Sequence, residues 1–369
     1  MNRSEQRAYL AELSGELMSG CQCRAHDGTV LYTPDTVSSY NALWGRDFAY
    51  MAEYAPEFMP LEHLLGGIGY LVRHARADGW IPDRVGGDGR AVYAAGAASR
   101  PVGEANLDTA PFLAIAMEAA FARMTPDDIR RRLAEWAPAV LKAYRLVPTG
   151  EGGLVSNPED KPHSPYGFTD IVCKTGALFF ESLLYWRGAR MMAARLEQCG
   201  LPDASWYAAA ADRVETAIGA LWDERAGLFM AASGLCRQPD IWGNVYAIAI
   251  GFPIGERRRR SIEDYMAAHF DEVVYKGQVR HLPAGQHWQR LLIDEQPGHY
   301  QNGAFWATAT GWMVFALRPR YPALADRMIA DAIECFRREG VFECVNRGYQ
   351  KLDRFVVSAT NVYGALRER

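Results

Sequence analysis

Six short polar segments, each opening into an apolar stretch of helical character, recur along this chain: GRDFAYMAEY from Gly45, NLDTAPFLAIA from Asn106, FTDIVCKTGALFF from Phe168, DIWGNVYAIAI from Asp240, YQNGAFWATATGW from Tyr300 and FVVSATNVYGAL from Phe355. Their starts are separated by 61, 62, 72, 60 and 55 residues, an interval that holds two helices and their connections. A helical hairpin cannot bury an apolar face alone, so six of them are expected to close into a ring. The expected fold is therefore all-α, an (α/α)6 toroid. Its six polar helix starts would surround one mouth, and a mouth of that kind is a pocket.

The stretches between these segments supply the partner helices. TPDDIRRRLAEWAPAVLKAYRLV offers Thr125 as an N-terminal cap, with Asp127 and Asp128 in the first turn. LPDASWYAAAADRVETAIGALWDERAGLF and YPALADRMIADAIECFRREGVF have strongly polar faces, with Gly227 and Gly340 placed as stops. These belong to an outer ring. TGALFFESLLYW, AIAIGF and ATATGWMVFAL are apolar almost all round and belong inside. A closed ring uses the whole chain for one core, so residues 1–369 are read as a single domain. Strand signals are rare. AAGAASRPV and VPTGEGGLVSNPEDKPHSPYG are the clearest long loops, and the second, running into the third segment, is expected to form a wall or lid of the pocket.

Charge and cysteine usage exclude several classes. With 40 basic and 44 acidic residues the net charge is −4, which gives no general attraction to nucleic acid or anionic lipid. Arg257 to Arg260 form the only basic run of note, and a solvated helix start explains it. The N-terminal MNRSEQRAYLAELSGELM mixes charges with apolar residues, as an amphipathic helix does and a secretion signal does not. No stretch suits a bilayer. A cytoplasmic location is the default expectation. Seven cysteines without a CxxC pair argue against a disulfide framework or a structural zinc site. The eight histidines include no HExxH pattern, and RVGGDGR lacks the Lys-Ser/Thr ending of a phosphate loop. Neither metal nor cofactor is expected.

The chemistry is therefore sought at the helix starts. Asp47, Asp108 and Asp170 stand there, with Glu295 and Glu343 just ahead of the fifth and sixth segments. One such acid is ordinarily a helix cap, but five in corresponding places point to a shared site. Aromatic residues crowd the same places, among them Trp44, Trp80, Tyr166, Trp242, Tyr300 and Trp306. Flat apolar faces for C–H surfaces and carboxylates for hydroxyls are the needs of a carbohydrate pocket. Gln301 and Asn302 are further hydroxyl ligands, with Gly303 allowing a close backbone approach.

Trp44-Gly45-Arg46-Asp47, opening an early helix, resembles the Trp-x-Arg-Asp element of glucoamylases, whose Arg and Asp grip hydroxyls of the sugar at the non-reducing end. DGWIPDRV, LWDERAGLF, YQNGAFWATATGW and GVFECVNRGYQ followed by SATNVYGAL are similar to segments of the wider six-hairpin glycosidase superfamily, which includes glucosidase domains of glycogen-debranching enzymes and processing-type α-glucosidases. The resemblance implies an inverting glycoside hydrolase, exo-acting on an α-glucoside or other small oligosaccharide. It implies Asp170 as general acid, with Glu295 or Asp108 as substitutes, Glu343 as base, and Arg46 and Asp47 as the grip on the terminal sugar, with a buried structural Arg–Asp pair as the alternative. An Asp170–Lys174 ion pair, or Glu343 salted by Arg347 or Arg354, would be the structural alternatives. A helix N-terminus and Lys174 would also lower the pKa of Asp170 when an acid needs it raised. Two other functions stay open: a sugar epimerase or aldose–ketose isomerase using His163 and His299 as proton shuttles, and a sugar-binding protein without turnover.

Overall fold

Helices buried on every side alternate along the chain with helices buried on one side only. The computed structural model describes residues 1–367. It contains α1 (Arg3–Gly20), α2 (Gly45–Tyr54), α3 (Leu61–Arg73), α4 (Thr109–Phe121), α5 (Pro126–Leu146), α6 (Phe179–Gln198), α7 (Ala204–Ala217), α8 (Ile241–Ala249), α9 (Glu256–Ala268), the single turn α10 (Phe270–Val273), α11 (Thr310–Leu317), α12 (Pro322–Arg338) and α13 (Val356–Gly364). In α2, α4, α8, α11 and α13 nearly every residue is buried, and α6 joins them over its first two turns. These six pack in the sequence α2, α4, α6, α8, α11 and α13, and α13 returns to α2, closing the ring. The outer helices lie against them, α1 on α13, α3 and α5 on α4, α7 on α6, α9 on α8 and α12 on α11. This is the expected (α/α)6 toroid. One apolar core runs through it from Leu10 to Leu366.

Local chemistry sets the helix ends. Asn2 and Glu5 form a reciprocal capping box at the start of α1, and Thr125 accepts from the backbone N–H of Asp128 at the start of α5, where Pro126 occupies the first turn. The basic run falls in the first turns of α9, where Arg257, Arg259 and Arg260 pair with Glu224, Glu263 and Glu256. Among the described residues no helix is long and apolar enough to cross a membrane.

Two of the six segments depart from the expected helix starts. After Phe168 the chain makes a 3-10 turn (Gly167–Thr169) and a short strand (Gly176–Ala177) before α6 begins at Phe179. Gly176 has φ +72°, which a helix cannot continue through. After Tyr300 the chain turns, forms the strand Phe305–Trp306 and enters α11 only at Thr310. That strand is the centre of an antiparallel sheet ordered Val274–Tyr275, Gln278–Arg280, Phe305–Trp306, Cys344–Asn346, Tyr349–Lys351. The sheet ties the fifth connection to the sixth, with Phe305 opposite Val345 and Cys344 opposite Lys351. A small second core of Ile171, Val172, Ala231, Cys236, Leu282 and Trp288 holds these connections over the ring.

Candidate active site

A cavity of about 330 Å³ opens where the inner helices begin, a size suited to a small ligand. Its floor is Phe168 with Phe355. Phe168 rests on an aromatic bed of Tyr50, Tyr166, Trp242 and Trp306, at centroid distances of 6.1, 5.7, 6.1 and 5.5 Å. Of the predicted ligand-contacting residues, Trp44, Arg46, Asp47, Asp170, Glu295, Tyr300 and Glu343 line this cavity.

Trp44 precedes α2 and stands edge-on to Tyr40, with the Arg84 guanidinium 4.4 Å from its ring centre. Arg46, in the first turn of α2, is clamped from behind by Asp83 and by Asp108 Oδ2 at 3.3 Å. Its side chain crosses the backbone of Gly167, and no Cβ would fit there. Asp47 is buried, with one carboxylate oxygen unpartnered, and burial is the largest influence raising its pKa to about 8 against the pull of Arg46.

Asp170 ends the 3-10 turn and accepts a 2.9 Å hydrogen bond from Gln301 Nε2. Burial raises its pKa to about 7, opposed by Arg46 and reinforced by Asp83 and Asp108. The expected conflict with a helix dipole and Lys174 is absent, because no α-helix starts at Asp170 and Lys174 pairs with Glu181 at 2.5 Å. Glu343, just before the hairpin of Cys344–Asn346 and Tyr349–Lys351, has its pKa raised by burial to about 7. Lys351 Nζ lies 3.8 Å from Glu343 Oε2, and the Tyr40 hydroxyl reaches both carboxylate oxygens at 3.0 and 3.2 Å. Both partners favour the ionised form. Neither Arg347 nor Arg354 pairs with Glu343. Arg354 binds Glu16 and Thr36 instead.

The other predicted residues are near but do not line the cavity. Asp108 spends one oxygen on Arg46 and on the Gly167 N–H at 2.7 Å, so it positions the grip rather than meeting a ligand. Tyr166 bonds the Tyr50 hydroxyl, Trp242 donates to the Val279 carbonyl and Trp306 to that of Tyr300; all three support Phe168 from below. Trp80 packs against His163. Gln301 is fully engaged, donating to Asp170 and the Gly167 carbonyl and accepting from Ile171 N–H. Asn302 fixes its own turn through Trp288 N–H and the Glu295 carbonyl, and Gly303, at φ +116°, completes that turn without reaching the cavity. Of the two expected loops, the first contributes Gly96 to the wall. The second contributes its end, at Gly167.

Tyr40, Asp83, Phe355 and Lys351 were missed. Asp83 sits in the DGWIPDRV segment, and the Asn346-Arg347-Gly348 turn would have folded Lys351 back beside Glu343. Nothing local marks Tyr40. Among the described residues no cluster of three or more His, Cys, Asp or Glu side chains is arranged to hold a metal ion.

No protein-family model and no curated protein matches the chain by sequence. Solved structures match it by shape. A GH63 mannosylglycerate hydrolase from Thermus thermophilus, in complex with Tris, superimposes with a TM-score of 0.70 over 97% of this chain and all of its own, at 16% identity. A rhamnosidase from Klebsiella oxytoca with rhamnose bound gives 0.67 over 97% of this chain and 63% of its own, at 12% identity. A glucoamylase from Saccharomycopsis fibuligera gives 0.64 over 99% and 96%, also at 12% identity. The likeness shows the fold, an (α/α)6 toroid.

Proposed function

We propose that this chain acts, as a single domain, as an inverting, exo-acting glycoside hydrolase on an α-glucoside or another small neutral-sugar oligosaccharide available in the cytoplasm. The observation that carries this reading is the pair Asp170 and Glu343. Two carboxyl groups from distant parts of the chain share one buried cavity, both with pKa values lifted to about 7. Carboxyl groups tuned toward neutrality, one to give a proton and one to take one, are what glycoside hydrolysis needs.

Asp170 is the acid, since Arg46, the cation that opposes its burial, is paired to Asp83 and Asp108 rather than to Asp170, and no lysine is beside it. Glu343 is the base, because Lys351 and Tyr40 favour its ionised form. Water oxygen bonds the anomeric carbon as Glu343 takes its proton. The bond to the leaving oxygen breaks with its electron pair, and that oxygen takes the proton of Asp170. Solvent then exchanges the proton between the two. Arg46 and Asp47, deep in the same cavity, are suited to a terminal sugar's hydroxyls. The solid aromatic floor favours release of one residue from a chain end.

The epimerase reading finds no comparable support. His163 packs against Trp80, His299 stacks on Tyr349 at 4.1 Å, and neither lines the cavity.

A screen of nitrophenyl glycosides and natural disaccharides, with NMR detection of the first anomer released, tests the proposal. Release of the inverted anomer is expected. Release of the retained anomer would overturn the inverting step, and tight binding without cleavage of any substrate would overturn the hydrolase reading.

A further inference from the structure

We propose, building on the hydrolase reading, that the departing part of the substrate is neutral or positively charged and that the cavity mouth discriminates against an anionic leaving group. The cavity is graded from floor to rim. Arg46, Asp47, Asp170 and Glu343 are buried, whereas Ile293 and Asp294 are exposed and Glu295 is partly so. A sugar held at the floor sends its leaving group out past those three rim residues.

The charge along that path is negative. Arg46 is the deep cation, and Asp83 and Asp108 behind it already neutralise it. Lys351 is the rim cation, but its ammonium is committed to Glu343 at 3.8 Å and sits 3.0 Å from the Tyr300 ring centre. No Lys or Arg among the described residues pairs with Asp294 or Glu295. The nearest basic atom to Glu295 is His299 Nδ1, at 3.9 Å. A carboxylate leaving group would therefore meet two uncompensated carboxylates without a cation to bind, and an ammonium would meet two partners. Ile293, 38% exposed and one of three exposed large apolar side chains among the described residues, adds an apolar contact at the same rim.

The test compares kcat/KM at neutral pH for 3-aminopropyl, propyl and 2-carboxyethyl glycosides of the sugar selected by the screen, beginning with α-glucose. The expected order is aminopropyl, propyl, carboxyethyl. The two extremes should differ about tenfold at low ionic strength and converge at about 1 M salt, where the screening length falls to about 3 Å. Asp294→Lys should reverse the order. A carboxyethyl glycoside cleaved as fast as the propyl one overturns the inference and leaves the hydrolase reading standing. Failure to cleave any of the three removes the inference as well. If nitrophenyl glycosides are also untouched, the hydrolase reading goes with it.

Discussion

The two walls of the cavity carry carboxyl groups with similar elevated pKa values, yet they are built differently. The Asp170 wall is a tight 3-10 turn locked by buried hydrogen bonds: Gln301 holds Asp170 and Gly167, and Asp108 holds Gly167 and Arg46. The Glu343 wall is a short hairpin whose functional partner, Lys351, is about one-third exposed. One carboxyl is set by rigid neighbours that remain whatever the solvent does. The other, raised by burial, is opposed by a cation that salt and mutation reach easily. Burial raises both pKa values to about 7, so the walls differ in what opposes it, Arg46 and Gln301 at Asp170 against Lys351 and Tyr40 at Glu343.

The largest test of that contrast is Asp170→Asn against Glu343→Gln. Each is expected to lower kcat by about 10²- to 10⁴-fold with the fold intact. A glycosyl fluoride, whose leaving group needs no proton, should restore the Asp170 variant and not the Glu343 variant. Restoration of the Glu343 variant alone would exchange the two roles.

Arg46→Met should cost about 3–5 kcal/mol in urea unfolding, because it leaves Asp108 buried without a cation and Asp83 with Arg84 alone. A loss near zero would mean that the clamp on the Asp170 side is not rigid in the sense argued above.

A smaller effect is expected from Lys351→Met. The base must be ionised and the acid protonated, so kcat/KM should follow a narrow bell around neutrality, its limbs belonging to the coupled pair. Lys351 lowers the pKa of Glu343, so its loss raises that pKa and moves the acid limb to higher pH, leaving the alkaline limb in place. Movement of the alkaline limb instead would tie Lys351 to Asp170.

Asp47→Asn should also change how stability depends on pH. The folded Asp47 holds its proton up to about pH 8, while an unfolded aspartate releases it near pH 4. The native state therefore binds more protons in that window, and stability falls as pH rises through it. The amide cannot titrate, so a plot of melting temperature against pH should be flatter for the variant between pH 4 and 8. Parallel plots would show that Asp47 is not the group responsible.

Much of this was readable from residues alone, for identifiable reasons. Stretches such as AIAIGF and ATATGWMVFAL are apolar in every direction, and their regular recurrence leaves a closed ring as the economical way to bury them. The place of Trp44, Arg46 and Asp47 on the cavity wall was readable because they adjoin one another and open a helix. Trp242 and Trp306 were misread as ligand-facing, since an aromatic side chain one layer beneath a floor has the same sequence signature as one on its surface. Gln301 and Asn302 were misread because a sequence does not reveal that their amide groups are already occupied.

Periodicity and side-chain chemistry, both local properties, thus determined the inner and outer helices, the closure into six hairpins and the gathering of acids near one end. The tertiary structure decided which acid lies against Arg46, that Lys351 and Tyr40 attend Glu343, and that the rim is left negative. Those outcomes depend on contacts between residues up to 303 positions apart and on strands of two or three residues, too short to leave a pattern. Burial, which raises the two carboxyl pKa values, exists only once the ring has closed.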